Sequence, residues 1–202
     1  MHRHVILFAR PPRYGCGKTR LARDIGKVAT LRFYRNNVNR VLGRLKRMPS
    51  IKLSVALTPD NAIFEGVGPH FGDVPLIPQG HGDLGAKMAR ALNHGDIGPT
   101  IIIGSDIPDI SPHTIEEAFK ALNSNDAVFG PCDDGGYWLI GLKRLSGTPS
   151  HFLKNIEWST SQALQQSVAT LPKQWKVGYI STLDDIDTGA DLAAWQKKNT
   201  GR

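Results

Sequence analysis

The sequence VILFA at residues 5–9 runs directly into RPPRYGCGKTR at residues 10–20. Five consecutive apolar residues, β-branched and aromatic among them, indicate a short strand that is buried on both faces. The two prolines end this strand because a proline nitrogen cannot donate a ladder hydrogen bond. Gly15 and Gly17 allow a tight bend, and Lys18 to Arg20 open a helix whose unpaired N–H groups face the loop. This combination predicts a phosphate or diphosphate site, the alternative being an ordinary βα turn with surface cations.

The rest of the chain alternates between strand and helix patterns. Apolar residues recur at helical spacing as far as Leu45, which predicts one long helix that begins at Lys18. Strands are predicted at residues 51–57, 75–78, 101–103, 126–130 and 177–180, with a further apolar run at 138–142. We therefore expect a single α/β domain over residues 1–202, with a mostly parallel central sheet, helices on both faces and right-handed crossovers.

Five unusual loops follow the predicted strands, at residues 11–20, 79–85, 104–109, 131–137 and 184–188. Ligands of open parallel sheets bind beyond the carboxyl ends of the strands. The position of these loops therefore predicts an active site at that edge of the sheet.

Three of these loops carry carboxylates: Asp106; Asp133 and Asp134; and Asp185 and Asp187. Clustered carboxylates repel one another unless protons or cations offset their charge, and Mg²⁺ or Mn²⁺ commonly does so beside phosphate oxygens. We therefore expect a divalent ion here. We also expect Asp106→Asn to leave the ligand-free protein as stable as before, or slightly more stable, because one repelling charge is removed. Asp184 and Asp191 fit the role of turn or cap residues.

The composition limits the classes of partner. The net charge is +7, and residues 1–50 hold 13 of the 25 Lys and Arg residues with a single acid, Asp24. We do not expect nucleic acid as a partner, because no helix-turn-helix, zinc-finger or RNP-like pattern accompanies this charge. No apolar run has the length of a membrane span. Cys16 and Cys132 lack metal-type spacing, so we expect a reduced, cytoplasmic protein.

Two other classes of function remain open. Residues 12–19, PRYGCGKT, differ from the P-loop template G-x-x-x-x-G-K-[ST] only by Pro12 in the place of the first glycine. A P-loop NTPase is therefore one alternative, although it leaves residues 79–85 and 133–137 unexplained. A non-catalytic nucleotide-binding module that regulates a partner is the other.

Six motifs together resemble the DUF2064 family: FARPPxxGxGKTRL at 8–21, QGxGDLG at 79–85, GSDIP at 104–108, DDGGYWLIGL at 133–142, EWST at 157–160 and DDIDT at 184–188. These rSAM/selenodomain-associated transferase 1-like proteins are glycosyltransferase-like, with the GT-A fold of nucleotide-diphospho-sugar transferases. The chain is more distantly similar to the molybdenum-cofactor and phospholactate guanylyltransferases. The resemblance implies a transferase whose donor is a nucleotide sugar or a nucleoside triphosphate and whose acceptor is an unknown small molecule.

The resemblance also implies roles for individual residues. Nucleotide binding would involve Ala9, Gly15, Lys18, Thr19, Arg20, Gln79, Gly82, Asp83 and Leu84, and the catalytic residues would be Lys18, Arg20 and Asp106. The metal ligands would be Asp106, Asp134 and Asp187, and the acceptor side would comprise Asp133, Gly135, Gly136, Tyr137 and Trp158. The chain departs from the usual GT-A D-x-D motif, because two residues separate Asp106 from Asp109. Glycosyl and nucleotidyl transfer both stay open.

Overall fold

Seven strands form the central sheet in the computed structural model, which describes residues 3–15 and 17–199, with Pro69 described by its backbone alone. The prediction for Cys16 lies outside these residues. The strands are β1 (Arg3–Ala9), β2 (Ile51–Leu57), β3 (Leu76–Pro78), β4 (Thr100–Gly104), β5 (Ala127–Pro131), β6 (Tyr137–Leu142) and β7 (Val177–Tyr179). Their order is β3-β2-β1-β4-β6-β5-β7, and β6 is antiparallel to both of its neighbours. The predicted mostly parallel sheet is confirmed.

Helices cover both faces of this sheet. They are α1 (Thr19–Ile25), α2 (Lys27–Leu45), α3 (Leu84–Leu92), α4 (Pro112–Ala121), α5 (Ala163–Ala169) and α6 (Gly189–Asn199), with 3₁₀ helices at Asp60–Phe64 and Gly68–His70. Because strand side chains alternate between faces, Val5 and Leu7 pack with residues of α2 and α4, whereas Ile6 packs with residues of α3. Among the residues that the structure describes, no helix is long and apolar enough to cross a bilayer.

The single helix predicted from Lys18 to Leu45 is wrong, because α1 and α2 are separate helices on either side of Gly26. The backbone of Gly26 has φ 85° and ψ 152°, a conformation that side-chain-bearing residues rarely adopt. Its carbonyl accepts hydrogen bonds from the backbone N–H and the hydroxyl of Thr30, which starts the second helix. The apolar spacing continues across the break, so periodicity alone does not reveal it.

The predicted start of α4 is confirmed. Ser111 accepts a hydrogen bond from the Thr114 N–H, and the Thr114 hydroxyl accepts one from the Ser111 N–H, so the two residues form a capping box around Pro112. The cap ends the loop that follows β4. Together with the loops after β1, β3, β5 and β7, this loop lies at one edge of the sheet, where six parallel strands end.

Candidate active site

The centre of this edge is the ammonium group of Lys18. Its Nζ lies 2.7 Å from Oδ2 of Asp106 and 3.7 Å from Oδ2 of Asp185, and it donates a hydrogen bond to Oδ1 of Asp187. The Lys18 side chain is 11% exposed. The three carboxylates can each offer one oxygen within 4.8 Å of the others. Four charged groups from three distant parts of the chain therefore share one small volume, which we call the Lys18 cluster.

Backbone hydrogen bonds attach the segment that carries Asp185 and Asp187 to the ends of β4 and β5. The Ile186 N–H donates to the carbonyl of Asp106 at 3.2 Å, so the residues on either side of Ile186 flank the Asp106 carboxylate. The Leu183 N–H donates to the carbonyl of Pro131, which attaches the same segment to β5. These bonds explain why carboxylates 79 and 81 positions further along the sequence lie beside Asp106.

Asp191 acts as the helix cap that its position predicts. Its Oδ2 accepts hydrogen bonds from the Thr188 N–H at 2.7 Å and from the Asp187 N–H at 3.0 Å, while the Thr188 hydroxyl accepts one from the Asp191 N–H. This arrangement caps α6. It also fixes the backbone of Asp187, so the cap contributes to the position of a carboxylate in the Lys18 cluster.

The backbone of Lys18 itself is left-handed, with φ 48° and ψ 45°. Few residues other than glycine adopt this region, and such residues concentrate at functional sites. Gly17, directly before it, has φ 75°. Lys18 therefore precedes α1 on a sharply turned loop, and a helix of only 7 residues follows it instead of the long one expected.

The charges of the Lys18 cluster do not balance. Burial favours the neutral form of Lys18, but attraction and hydrogen bonds to Asp106 and Asp187 outweigh it and raise the pKa of Lys18. Burial and the nearby Asp106 raise the pKa of Asp185 to about 6. The other cation near the carboxylates is Arg20, 3.8 Å from Asp187 with a side chain 69% exposed. Three carboxylates around one buried ammonium leave an excess of negative charge.

The structure brings together four of the residues singled out in the sequence: Lys18, Arg20, Asp106 and Asp187. It adds Asp185, which the sequence marked only as a carboxylate in the same loop. Asp134, predicted as a metal ligand, is not one of the three grouped carboxylates. Its Oδ1 instead accepts a hydrogen bond from the Gly136 N–H at 2.8 Å inside the turn before β6.

The glycine loop after β1 borders a small cleft. Arg13, Gly15, Gly17, Lys18 and Lys27 are among the residues that line it. Gly15 and Gly17 both have positive φ, so the bend depends on the conformational freedom of glycine. Lys18 lines the cleft and also belongs to the Lys18 cluster, so the predicted phosphate loop and the predicted carboxylate site are adjacent.

The hydroxyl of Tyr34 connects the ends of β1 and β4. It accepts a hydrogen bond from the Arg10 N–H at 3.0 Å and lies 3.1 Å from the Ser105 hydroxyl. The Asn37 side-chain amide donates to the Ser105 carbonyl at 2.8 Å. Two buried side chains of α2 therefore hold the residue that precedes Asp106.

In the loop after β3, two side chains predicted to bind the nucleotide, those of Gln79 and Asp83, have partners within the protein. The Gln79 side chain is buried and donates to the Ala56 carbonyl at 2.9 Å. Asp83 caps α3 by accepting a hydrogen bond from the Ala86 N–H at 2.8 Å. The Arg90 guanidinium donates to the His81 carbonyl at 2.9 Å, and this bond holds the loop of residues 79–85 against α3.

On the predicted acceptor side, the protein's own chain fills the space beside Gly135. A Cβ at Gly135 would lie 2.2 Å from the Ser161 carbonyl oxygen, and the backbone φ there is 84°. The backbone of residue 161 therefore approaches Gly135 closely, which gives this glycine a structural reason, while its place on the acceptor side stays a prediction. Tyr137 packs edge-on against Phe129, and its hydroxyl lies 3.1 Å from the Ser167 hydroxyl. Burial raises the pKa of Tyr137, and the hydrogen bond with Ser167 opposes this shift. Trp158 packs against Tyr137.

The sequence of residues 41–160 matches the model of a family described as "Uncharacterized protein conserved in bacteria (DUF2064)". The chain belongs to this family. No curated protein matches this DUF2064 chain.

Other proteins whose structures have been solved share the fold of this DUF2064 protein. A proposed nucleotide-diphospho-sugar transferase from Desulfovibrio desulfuricans G20 is 28% identical, with a TM-score of 0.89 over 98% of this chain and 88% of that one. Molybdopterin-guanine dinucleotide biosynthesis protein A from Archaeoglobus fulgidus is 17% identical, with a TM-score of 0.59 over 98% and 100% of the two chains. Rv0371c from Mycobacterium tuberculosis, in complex with manganese, is 15% identical, with a TM-score of 0.52 over 96% and 97%.

The DUF2064 protein thus has the GT-A-like fold of nucleotide-diphospho-sugar transferases, as predicted. Neither its strand order nor these similarities support the P-loop alternative. The cations Arg13 and Lys27 border the cleft that Lys18 also lines, and the Lys18 ammonium contacts the three carboxylates. Such an arrangement can bind a polyphosphate together with a hard divalent cation.

Proposed function

We propose that this DUF2064 protein is a metal-dependent transferase whose donor is a nucleoside triphosphate or a nucleotide sugar. The observation that carries the proposal is the position of Lys18, between the glycine-loop cleft and the three carboxylates. In the reaction, an acceptor oxygen forms a bond to the phosphorus or sugar carbon of the donor. The bond from that atom to the oxygen of the diphosphate leaving group breaks, the leaving group departs with the electron pair, and any proton on the acceptor oxygen passes to solvent.

The carboxylates fit the divalent ion expected from the sequence. Asp106, Asp185 and Asp187 offer hard oxygen ligands, which suit Mg²⁺ and Mn²⁺, and their oxygens lie within 4.8 Å of one another. We propose Asp185 as the third ligand in place of Asp134. A bound ion would offset the charge of the diphosphate. Rv0371c, which shares the fold, binds manganese, and this similarity supports the proposal.

The chain's own residues supply binding and orientation. Lys18 and Arg20 would contact phosphate oxygens through charge-assisted hydrogen bonds, and the backbone around Gly15 and Gly17 would approach the same group closely. Tyr34 and Asn37 hold the turn before Asp106, so the carboxylate is fixed before the donor binds. Preorganised charge of this kind stabilises a transition state without reorganisation.

A thermal-shift screen of nucleotides and nucleotide sugars, with and without Mn²⁺, tests the proposal. A donor at 100 times its Kd contributes about 2.7 kcal/mol to stability. We expect at least one donor to raise the melting temperature only when Mn²⁺ is present. Asp185→Asn should abolish this shift, whereas Asp73→Asn, which breaks an exposed pair with Lys46 elsewhere, should retain it.

Turnover separates an enzyme from a regulatory binding module. The donor found in the screen is incubated with candidate small-molecule acceptors, and release of the leaving group is followed by mass spectrometry. Release that depends on the acceptor and on Asp185 supports the transferase. Tight binding without release for any acceptor favours the regulatory module, and release without an acceptor contradicts transfer.

A further inference from the structure

The Lys18 ammonium lies in the volume that a metal ion bound by the three carboxylates would need. Its Nζ is 2.7 Å from the Asp106 carboxylate and 3.7 Å from that of Asp185, and it is hydrogen-bonded to that of Asp187. A magnesium ion binds oxygens at about 2.0–2.1 Å. An ion coordinated by these three groups would therefore overlap or closely approach Nζ, and two cations at that separation repel strongly.

We propose that Lys18 excludes the divalent ion from the carboxylates until a phosphate-bearing ligand draws the Lys18 ammonium onto its own oxygens. This inference rests on the proposed function for the identity of the ligand. It goes further by giving an order to binding: the protein alone takes up the ion weakly, and the ion enters with the phosphates. Metal and ligand then each strengthen the binding of the other, since coupling between two binding sites is reciprocal.

Lys18 has the freedom and the alternative partner that this exchange requires. A lysine carries its charge on a flexible four-carbon stem, so its ammonium can move while the backbone stays in place. Lys18 lines the small cleft beside Gly15 and Gly17, and its ammonium pairs with the carboxylates, so one residue borders both places. Arg20 is placed differently, because its contact with Asp187 is 3.8 Å long and its side chain is mostly exposed.

The exchange also restricts the class of ligand. A diphosphate or triphosphate offers one phosphate group for the departing Lys18 ammonium and another for the ion that replaces it. A nucleoside monophosphate must supply oxygens for both cations from one phosphate group. The inference therefore favours ligands with at least two linked phosphates.

The test measures Mn²⁺ binding by the full chain without any nucleotide, from the electron paramagnetic resonance signal of free Mn²⁺. Lys18→Met keeps the length and apolar stem of the side chain but removes the ammonium. We expect Lys18→Met to bind Mn²⁺ at least about tenfold more tightly than the wild type, because the competing cation is gone. Lys18→Arg retains a cation and should bind as weakly as the wild type.

Two control variants test whether the tighter Mn²⁺ binding of Lys18→Met arises at the Lys18 cluster. Lys46→Met removes a lysine that pairs with Asp73 elsewhere on the surface, and it should leave Mn²⁺ binding at the wild-type level. The double variant Lys18→Met/Asp106→Asn should lose most of the gain, because a ligand of the ion has been removed. Equal Mn²⁺ affinity in the wild type and Lys18→Met, or a gain that survives Asp106→Asn unchanged, would overturn the inference.

A measurement on the wild type alone covers the case in which Lys18→Met does not fold. Mn²⁺ without nucleotide should leave the melting temperature of the wild type unchanged, and a clear rise would contradict the exclusion by Lys18. The inference and the proposed function can fail separately. If no nucleotide binds, with or without Mn²⁺, the proposed function fails, while the comparison of Lys18→Met with the wild type still decides the role of Lys18.

Discussion

The two ends of the central sheet each contain a buried cation, and the two cations have opposite kinds of partner. At the amino end of β4, the Arg144 guanidinium donates to the carbonyls of Leu92, His94 and Gly95 at 2.8–3.1 Å. At the carboxyl end, Lys18 faces three carboxylates. The partners of Arg144 are neutral and belong to fixed backbone, whereas those of Lys18 are charged side chains in excess.

This difference separates a structural cation from one that can change partners. A planar guanidinium matched to three carbonyls leaves those oxygens unpaired when it is removed, so its contribution is to stability. An ammonium shared among carboxylates loses one set of charge interactions and gains another when phosphates arrive. The comparison predicts that substitutions at the amino end affect folding first, and those at the carboxyl end affect ligand and metal binding first.

The largest effect on stability is expected for Arg144→Met. This change removes the charged donor of the Leu92, His94 and Gly95 carbonyls, of which that of Leu92 belongs to a buried residue. We expect the loss to cost about 2–3 kcal/mol. Urea unfolding should show a lower midpoint with an unchanged slope. At temperatures where the variant is folded, the donor should still bind in the presence of Mn²⁺. Loss of donor binding by the folded variant would contradict the assignment of Arg144 to stability and of the carboxyl end to ligand binding.

The second largest effect is a dependence of the free energy of unfolding on pH, and it arises from His4 near the amino end of β4. His4 is buried, and burial together with the charges of Lys52, His94 and Arg144 lowers its pKa from 6.5 to about 4, with Asp96 opposing them. The folded state therefore binds fewer protons than the unfolded state between these values. Stability should be fully present above about pH 6.5 and should fall by about 2 kcal/mol as the pH drops towards 4.

His4→Gln isolates this contribution from the other groups that titrate in acid. Glutamine keeps a donor and an acceptor for the Ser54 hydroxyl, which lies 3.0 Å from His4 Nε2, but it does not titrate. The free energy of unfolding of the variant should depend less on pH between 7 and 4.5 than that of the wild type. Parallel curves for the two proteins would show that His4 is not the source.

The smallest effect on stability is expected for Asp106→Asn at the carboxyl end. The sequence predicts no loss or a slight gain, because one of several repelling charges is removed. In the structure Lys18 already offsets that repulsion, so the change breaks a 2.7 Å pair and should cost about 1 kcal/mol. Donor and Mn²⁺ binding should nevertheless be lost. Asp73→Asn is the matched control, because it breaks an exposed lysine pair without touching the site.

The sequence predicts the strands and the sheet well because their signals are local. Three consecutive isoleucines mark β4, paired prolines end β1, and Ser111 with Pro112 marks the start of α4. The break at Gly26 is missed because one residue with positive φ does not disturb the spacing of apolar residues on either side. The carboxyl-edge loops follow from the parallel sheet, so the location of the candidate site is predictable as well.

The composition of the Lys18 cluster is not predictable in the same way. Asp134 and Asp185 both lie in Asp-Asp pairs after strands, and nothing in the sequence distinguishes them. The hydrogen bond from the Ile186 N–H to the Asp106 carbonyl selects Asp185, and this contact depends on how distant segments pack. The role of Gly135 has the same origin, since its neighbour Ser161 lies 26 residues further along the chain.

The bond between Lys18 and Asp187 joins residues 169 positions apart in the sequence. During synthesis, the glycine loop and Lys18 leave the ribosome long before the segment that carries Asp185 and Asp187. Until that segment binds to the ends of β4 and β5, the cluster has one of its three carboxylates and no complete set of metal ligands. A nascent chain therefore lacks the complete set of ligands that we propose for a divalent ion, and the proposed reaction requires residue 187 to have emerged and folded back.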